Sequence, residues 1–234
     1  LQATFRPDTN RSTPSRQTMR PEPPPPIVSK CQNTAYVRLL GYFFVTLHPQ
    51  SKKSRYMDTI QIKDLTFQLY ISEQQIRQRI QEMGREIHRD FADKDPIFLV
   101  VLNGAFMFAA DLLKEVDISC QVSFIRLSSY IGTSSTGEVK EIMGINTPLE
   151  NRHVIIVEDI VDTGVTMKNM WALLSDHKPA SIHLASLLIK PKNLKVNVNV
   201  DYTGFNIGND FIVGYGLDYD GYGRNEKNIY VLKS

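Results

Sequence analysis

The chain has 234 residues, 42% hydrophobic and 22% charged, enough for one core-forming domain with sequence to spare. No apolar run approaches the roughly 20 residues needed to span a bilayer. The N-terminus lacks the compact apolar stretch of a secretory signal, so a cytoplasmic protein is expected. Two cysteines, Cys31 and Cys120, make no disulfide framework and suit a reducing compartment. Cys120 sits in an alternating, strand-like segment, where a free thiol packs as a small hydrophobe more often than it acts as a nucleophile.

The net charge of +2 hides an asymmetry. Residues 1–56 hold nine Lys/Arg and two acids, whereas the remainder holds 18 basic and 23 acidic residues. An acidic body argues against general nucleic-acid binding, which needs a positive surface. Residues 1–26 are rich in Pro, Thr, Ser and Arg and end in Pro23–Pro26. Such a segment buries too little apolar surface to offset its ordering entropy, so a disordered, basic, Pro-rich extension is expected over 1–56. Two readings of it stay open: upstream sequence outside the working protein, or a basic targeting arm. The working domain is expected over 57–234, since the texture changes at Met57.

From there the pattern is regular. In Ser72–Phe91 the residues Ile76, Ile80, Met83, Ile87 and Phe91 recur at helical steps, and Ser72 with Gln75 forms a capping box. Ile97–Leu102 reads as a buried strand, broken by Asn103-Gly104, and Ala105–Val116 as a helix. A strand is expected over Ile118–Leu127, a long flexible loop over Ser128–Lys140, and a short returning strand over Glu141–Ile145. Val154–Val157 reads as a strand, Val165–Leu174 as a helix and Ile182–Ile189 as another strand. Strands apolar on both faces, alternating with helices, predict an α/β fold: a mostly parallel sheet flanked by helices. Ligands of such sheets bind beyond the carboxyl ends of the strands.

One segment there carries the chemistry, Val154-Ile-Ile-Val-Glu158-Asp159-Ile160-Val161-Asp162-Thr163-Gly164-Val165-Thr166. Thr163, Gly164 and Thr166 fall at a helix N-terminus, where free N–H groups and the dipole favour an anion. Glycine lets the backbone approach a phosphate, and the threonine hydroxyls add donors. Glu158 and Asp159 suit the hydroxyls of a vicinal diol, or a hard cation such as Mg²⁺. A phosphate, a diol and a cation together describe an activated ribose phosphate. Taken singly, each acid is equally a solvated strand end or a helix cap.

This segment resembles the phosphoribosyl-pyrophosphate motif of the type I phosphoribosyltransferases. Residues 57–234 resemble the hypoxanthine-guanine members, particularly bacterial ones; residues 1–56 do not. The resemblance implies the family's fold with a small hood built from the chain's terminal segments. It implies a purine salvage transferase that moves the phosphoribosyl group of phosphoribosyl pyrophosphate to N9 of hypoxanthine or guanine. Glu158, Asp159, Ile160, Val161, Thr163, Gly164, Val165 and Thr166 would hold ribose and phosphate, and Asp162 would take the purine N7 proton. Lys190 would meet the purine O6, Phe211 would stack on the ring, and Ile212 would offer main-chain groups. Asn103, Gly104 and Arg224 would bind pyrophosphate. Asp218, with Glu158 and Asp159, would hold Mg²⁺. Ser129-Tyr130 would open the mobile loop that closes over the reaction. Asn103 and Val165 stand where some members carry lysine, leaving those contacts to amides and hydroxyls. A homodimer or homotetramer without nucleic-acid or membrane partners is implied. Two other readings are a relative acting on xanthine or a pyrimidine, and a nucleotide-sensing regulator. Lys190 with a downstream aromatic favours 6-oxopurines. The acidic body and the lack of a helix-turn-helix pattern in 1–56 disfavour the regulator.

Overall fold

The computed structural model describes residues 59–129, 139–143 and 145–233. The extension expected over 1–56 lies outside the described residues, as do Tyr130 and the centre of the expected loop. The described residues form two sheets. The first is formed by β1 (Thr59–Ile62), β2 (Leu65–Ile71), β9 (Ile212–Val213) and β10 (Ile229–Leu232) in the antiparallel order β1-β2-β10-β9. This is the hood, closed around Ile60, Ile62, Phe67, Val213 and Tyr230. Its strands went unassigned in the sequence because they are short and draw apolar residues from both ends of the domain.

The second sheet is the six-stranded body. It has the order β5-β4-β3-β6-β7-β8, from β3 (Ile97–Leu102), β4 (Gln121–Ser129), β5 (Val139–Met143), β6 (His153–Val161), β7 (Ser181–Ile189) and β8 (Tyr202–Asn206). All neighbours pair in parallel except β5, which returns antiparallel to β4. Helices α1 (Glu73–Phe91), α2 (Phe106–Glu115) and α3 (Val165–Ser175) connect the strands. One face packs Ile80, Met83, Ile87, Phe108 and Leu112 of α1 and α2 against Phe98, Val100, Ile155 and Val157. The other packs Met167, Met170 and Leu174 of α3 against Leu99, Val154 and Ile156. Covering both faces explains why β3 and β6 read as unbroken apolar runs.

The α1 reading holds in detail. The Ser72 N–H donates to Gln75 Oε1 at 3.0 Å, and the Gln75 N–H donates to Ser72 Oγ at 3.4 Å. Other bounds move. β4 begins at Gln121 rather than Ile118 and runs through Ser128 and Ser129, so the expected loop is shorter at both ends. The returning strand is Val139–Met143 rather than Glu141–Ile145. Most relevant to function, β6 does not stop at Val157. Glu158, Ile160 and Val161 pair with Ser186, Leu188 and Ile189 of β7, so the two acids are fixed within the strand rather than in the turn after it.

Candidate active site

The carboxyl ends of β3, β6 and β7 lie at one end of the sheet. After β6, residues Asp162–Gly164 turn into α3, whose N-cap is Gly164 at φ +79°. A side chain at Gly164 would meet Val198 and Val196, and its positive φ favours glycine. The turn is held from outside: Lys195 N–H donates to Thr163 O at 3.0 Å, and Lys190 N–H to Val161 O at 2.9 Å. Among the described residues, the N–H groups of Thr163, Gly164, Thr166 and Met167 make no hydrogen bond. That of Val165 has only the Thr163 hydroxyl at 3.4 Å. Val165 and Thr166 are exposed. A ring of free donors at a helix start is an anion cradle.

Glu158 is buried, and its Oε2 has no partner among the described residues. Burial, then the neighbouring Asp159 charge, push its carboxyl well above the usual range. Asp159 is pushed up to about 6 by burial, against the Ile160 N–H at 3.0 Å and the Arg224 charge, which pull it down. Ile160 is half-buried and Val161 buried. An acid pair with one member buried and an unused oxygen on it is a place for a hydroxyl donor or a hard cation.

One glycine-bearing turn closes on this pair, and a second packs against the first. The Leu102–Asn103 peptide is cis, and Gly104 lies against Asp159, where an added Cβ would be 1.7 Å from Oδ2. Gly216, at φ +100°, lies against the Gly104 carbonyl, where an added Cβ would be 2.0 Å away. Arg224 Nη1 donates to Gly216 O at 2.7 Å, and its Nη2 meets Asp218 Oδ1 at 2.6 Å. Asp218 also accepts from the Gly221 N–H at 2.6 Å through Oδ2. Both oxygens of Asp218 are thus engaged, and no group of three His, Cys, Asp or Glu side chains able to hold a metal exists among the described residues. A cation here takes at most a pair of protein carboxylates, with other oxygens from its substrate, which is how Mg²⁺ is commonly held.

On the far side of the turn, Lys190 is buried and its Nζ lies 3.6 Å from Asp162 Oδ2. Asp162 Oδ1 accepts from Asn193 Nδ2. The hood brings Phe211, 44% exposed, with its ring 5.9 Å from Tyr219 (edge-on) and 6.1 Å from Phe67. Ile212 is buried on β9, an edge strand of the hood. Ser129 ends β4 at the same end of the sheet. Sequence reasoning missed Asn193 and Gly216; the pattern of glycines and a proline near them signalled turns, not partners.

The fold and the site have known counterparts. Residues 70–220 match the family model for the phosphoribosyl transferase domain. The hypoxanthine-guanine phosphoribosyltransferase of Lactococcus lactis is 40% identical over 164 residues, covering 70% of this chain and 89% of that protein. The bifunctional protein TilS/HprT of Listeria monocytogenes is 42% identical over 164 residues, 70% of this chain, which spans only 25% of that longer protein. Among solved structures, the hypoxanthine phosphoribosyltransferase of Staphylococcus aureus is 37% identical with a TM-score of 0.68, covering 71% of this chain and 91% of that one. That of Trypanosoma cruzi is 33% identical with a TM-score of 0.69, covering 74% and 95%. The chain belongs to the phosphoribosyltransferase family, in its hypoxanthine-guanine branch.

Proposed function

We propose that this protein transfers the 5-phosphoribosyl group of phosphoribosyl pyrophosphate to N9 of hypoxanthine or guanine, giving IMP or GMP and pyrophosphate. The observation that carries the reading is the pairing, across one turn, of a free-amide cradle at Thr163–Thr166 with the buried Glu158 and half-buried Asp159. The 5-phosphate would sit in the cradle and the ribose hydroxyls against the acids. Pyrophosphate would lie by Asn103, Gly104 and Arg224. Mg²⁺, held by no more than two carboxylates of the set Glu158, Asp159 and Asp218 together with substrate oxygens, would neutralise the leaving group.

As the C1′–oxygen bond lengthens, positive charge grows on the ribose, and the acid pair stabilises it. Phe211 would stack on the purine, Ile212 would present main-chain groups to it, and Lys190 would donate to O6. That contact would favour 6-oxopurines, because O6 gives the buried lysine a hydrogen-bond acceptor nearer than Asp162 Oδ2, which stands 3.6 Å away. Asp162 would take the N7 proton while N9 attacks C1′. The segment beginning at Ser129-Tyr130 would exclude water.

We take 57–234 as the working domain and 1–56 as an extension to it. No helix among the described residues is long and apolar enough to cross a membrane. A homodimer or homotetramer goes with the reading, and the exposed Val122 and Phe124 on β4 give it apolar surface to cover. The test is direct: incubate the protein with phosphoribosyl pyrophosphate, Mg²⁺ and, separately, hypoxanthine, guanine, xanthine, adenine or uracil, and assay nucleotide. Product with hypoxanthine or guanine is expected. Product with none, or with adenine or uracil alone, overturns the reading.

A further inference from the structure

We infer that Asn193 is the positioning residue for Asp162: it fixes which carboxylate oxygen faces the purine. The inference rests on the proton-accepting role proposed for Asp162 and adds a residue to it.

Asp162 sits in a three-residue turn with its side chain 46% exposed. A carboxylate there rotates freely unless something holds it. Two groups reach it. Lys190 Nζ stands 3.6 Å from Oδ2, a distance that attracts but does not orient. Asn193 Nδ2 donates to Oδ1, and that hydrogen bond sets the plane of the carboxylate. Asn193 is itself fixed. It closes the one-turn 3-10 helix Pro191–Asn193, whose first residue has a ring-locked φ, and its N–H donates to Lys190 O at 3.0 Å. Lys190 N–H in turn donates to Val161 O at 2.9 Å, next to Asp162 in sequence. A closed circuit therefore runs from Val161 through Lys190 and Asn193 back to Asp162.

An amide suits this task. It donates at every pH and carries no charge, so it orients the carboxylate without neutralising it. Lys190 is then left to meet the base. A carboxylate has about four lone-pair directions, and Asn193 occupies one on Oδ1, leaving Oδ2 to accept a proton along a defined direction.

The same segment also braces the phosphate cradle, through Lys195 N–H to Thr163 O and through Val196 and Val198 against Gly164. A purely structural role for Asn193 would therefore loosen phosphate binding, whereas a positioning role slows proton transfer. The experiment uses the full chain with Asn193→Leu, which keeps the size and removes the donor, and Asn193→Asp, which keeps the shape and adds a like charge. Asp162→Asn and the double variant Asp162→Asn/Asn193→Leu complete a cycle. Expected for Asn193→Leu is a fall in kcat of about tenfold, larger for Asn193→Asp, with KM for phosphoribosyl pyrophosphate changed less than about threefold. In the Asp162→Asn background, Asn193→Leu should cost nothing further. An unchanged kcat, a parallel rise in KM, or a full further loss in the double variant overturns the inference. If Asp162→Asn turns over like the wild type, it is instead the proton-accepting role of Asp162 that fails.

Discussion

Gly104 touches the carboxylate of Asp159 so closely that one methyl group would occupy its place: an added Cβ would lie 1.7 Å from Oδ2 and 2.4 Å from Cγ. The loop after β3 and the acid pair in β6 are therefore a single packed unit. Gly104→Ala must rotate Asp159 out of its half-buried position or push the loop away. We expect kcat/KM to fall at least about 100-fold, about 2.7 kcal/mol of transition-state stabilisation, with the melting temperature lowered by a few degrees. Steady-state kinetics beside thermal denaturation check this. Near wild-type kcat/KM in a folded variant would separate the loop from the acids.

Asp162→Asn tests the proton acceptor. The amide keeps the size and can still meet Lys190 through its oxygen, but it cannot take a proton. Turnover should fall by about 100-fold or more, while the Kd for phosphoribosyl pyrophosphate, measured by calorimetry with Mg²⁺, changes less than about threefold. Equal losses in turnover and binding would make Asp162 a binding residue only.

Ser72→Ala isolates a local contribution far from the chemistry. The substitution frees the Gln75 N–H, while the N–H of residue 72 can still donate to Gln75 Oε1 and Asn228 Oδ1 still accepts from Glu73 N–H at 2.8 Å. Loss of one side of a capping box costs about 1 kcal/mol. In a domain of this size that lowers the melting temperature by about 2–4 °C, and kcat should stay unchanged.

The sequence carries this helix plainly because its code is local: a 3.6-residue apolar period and a cap three residues long. The buried strands β3 and β6 are equally local, as is the anion-binding turn after β6. What escapes is whatever depends on a distant partner. The hood strands are short, and their apolar residues gain meaning only when β10 pairs with β2. β6 reaches Val161 because β7 supplies a ladder for it, although Glu158 and Asp159 look like residues past a strand's end. Asn193 is 31 positions from Asp162, and no spacing rule joins them. Asp218 is a metal-binding acid by resemblance, yet its side chain is tied to Arg224 and Gly221, which no sequence pattern signals.

Tyr215 and Asp111 provide a pH-dependent link between the glycine turn and α2. The Tyr215 hydroxyl is buried and donates to Asp111 Oδ2 at 2.6 Å. Burial and then the Asp111 hydrogen bond hold that hydroxyl well above its ordinary value of 10.0. At Asp111 burial acts upward, but the hydrogen bonds from Tyr215 and Lys114 outweigh it and leave the carboxyl below its ordinary 3.8. A raised tyrosine gives stability that is complete below about pH 10 and is lost as pH climbs toward its folded value. A lowered carboxylate gives stability that is present above about pH 4 and is lost as pH falls through its folded value. The pair therefore stabilises the fold between those limits. A hydrogen bond to a charged group contributes about 1.5–3 kcal/mol, and Asp111 is partly exposed, so the lower end applies. Tyr215→Phe should cost about 1.5 kcal/mol between pH 5 and 9, measured by urea unfolding. The gap from wild type should narrow below about pH 4 and above about pH 10. A gap that stays constant across that whole range would mean the lost contact is packing and not this hydrogen bond.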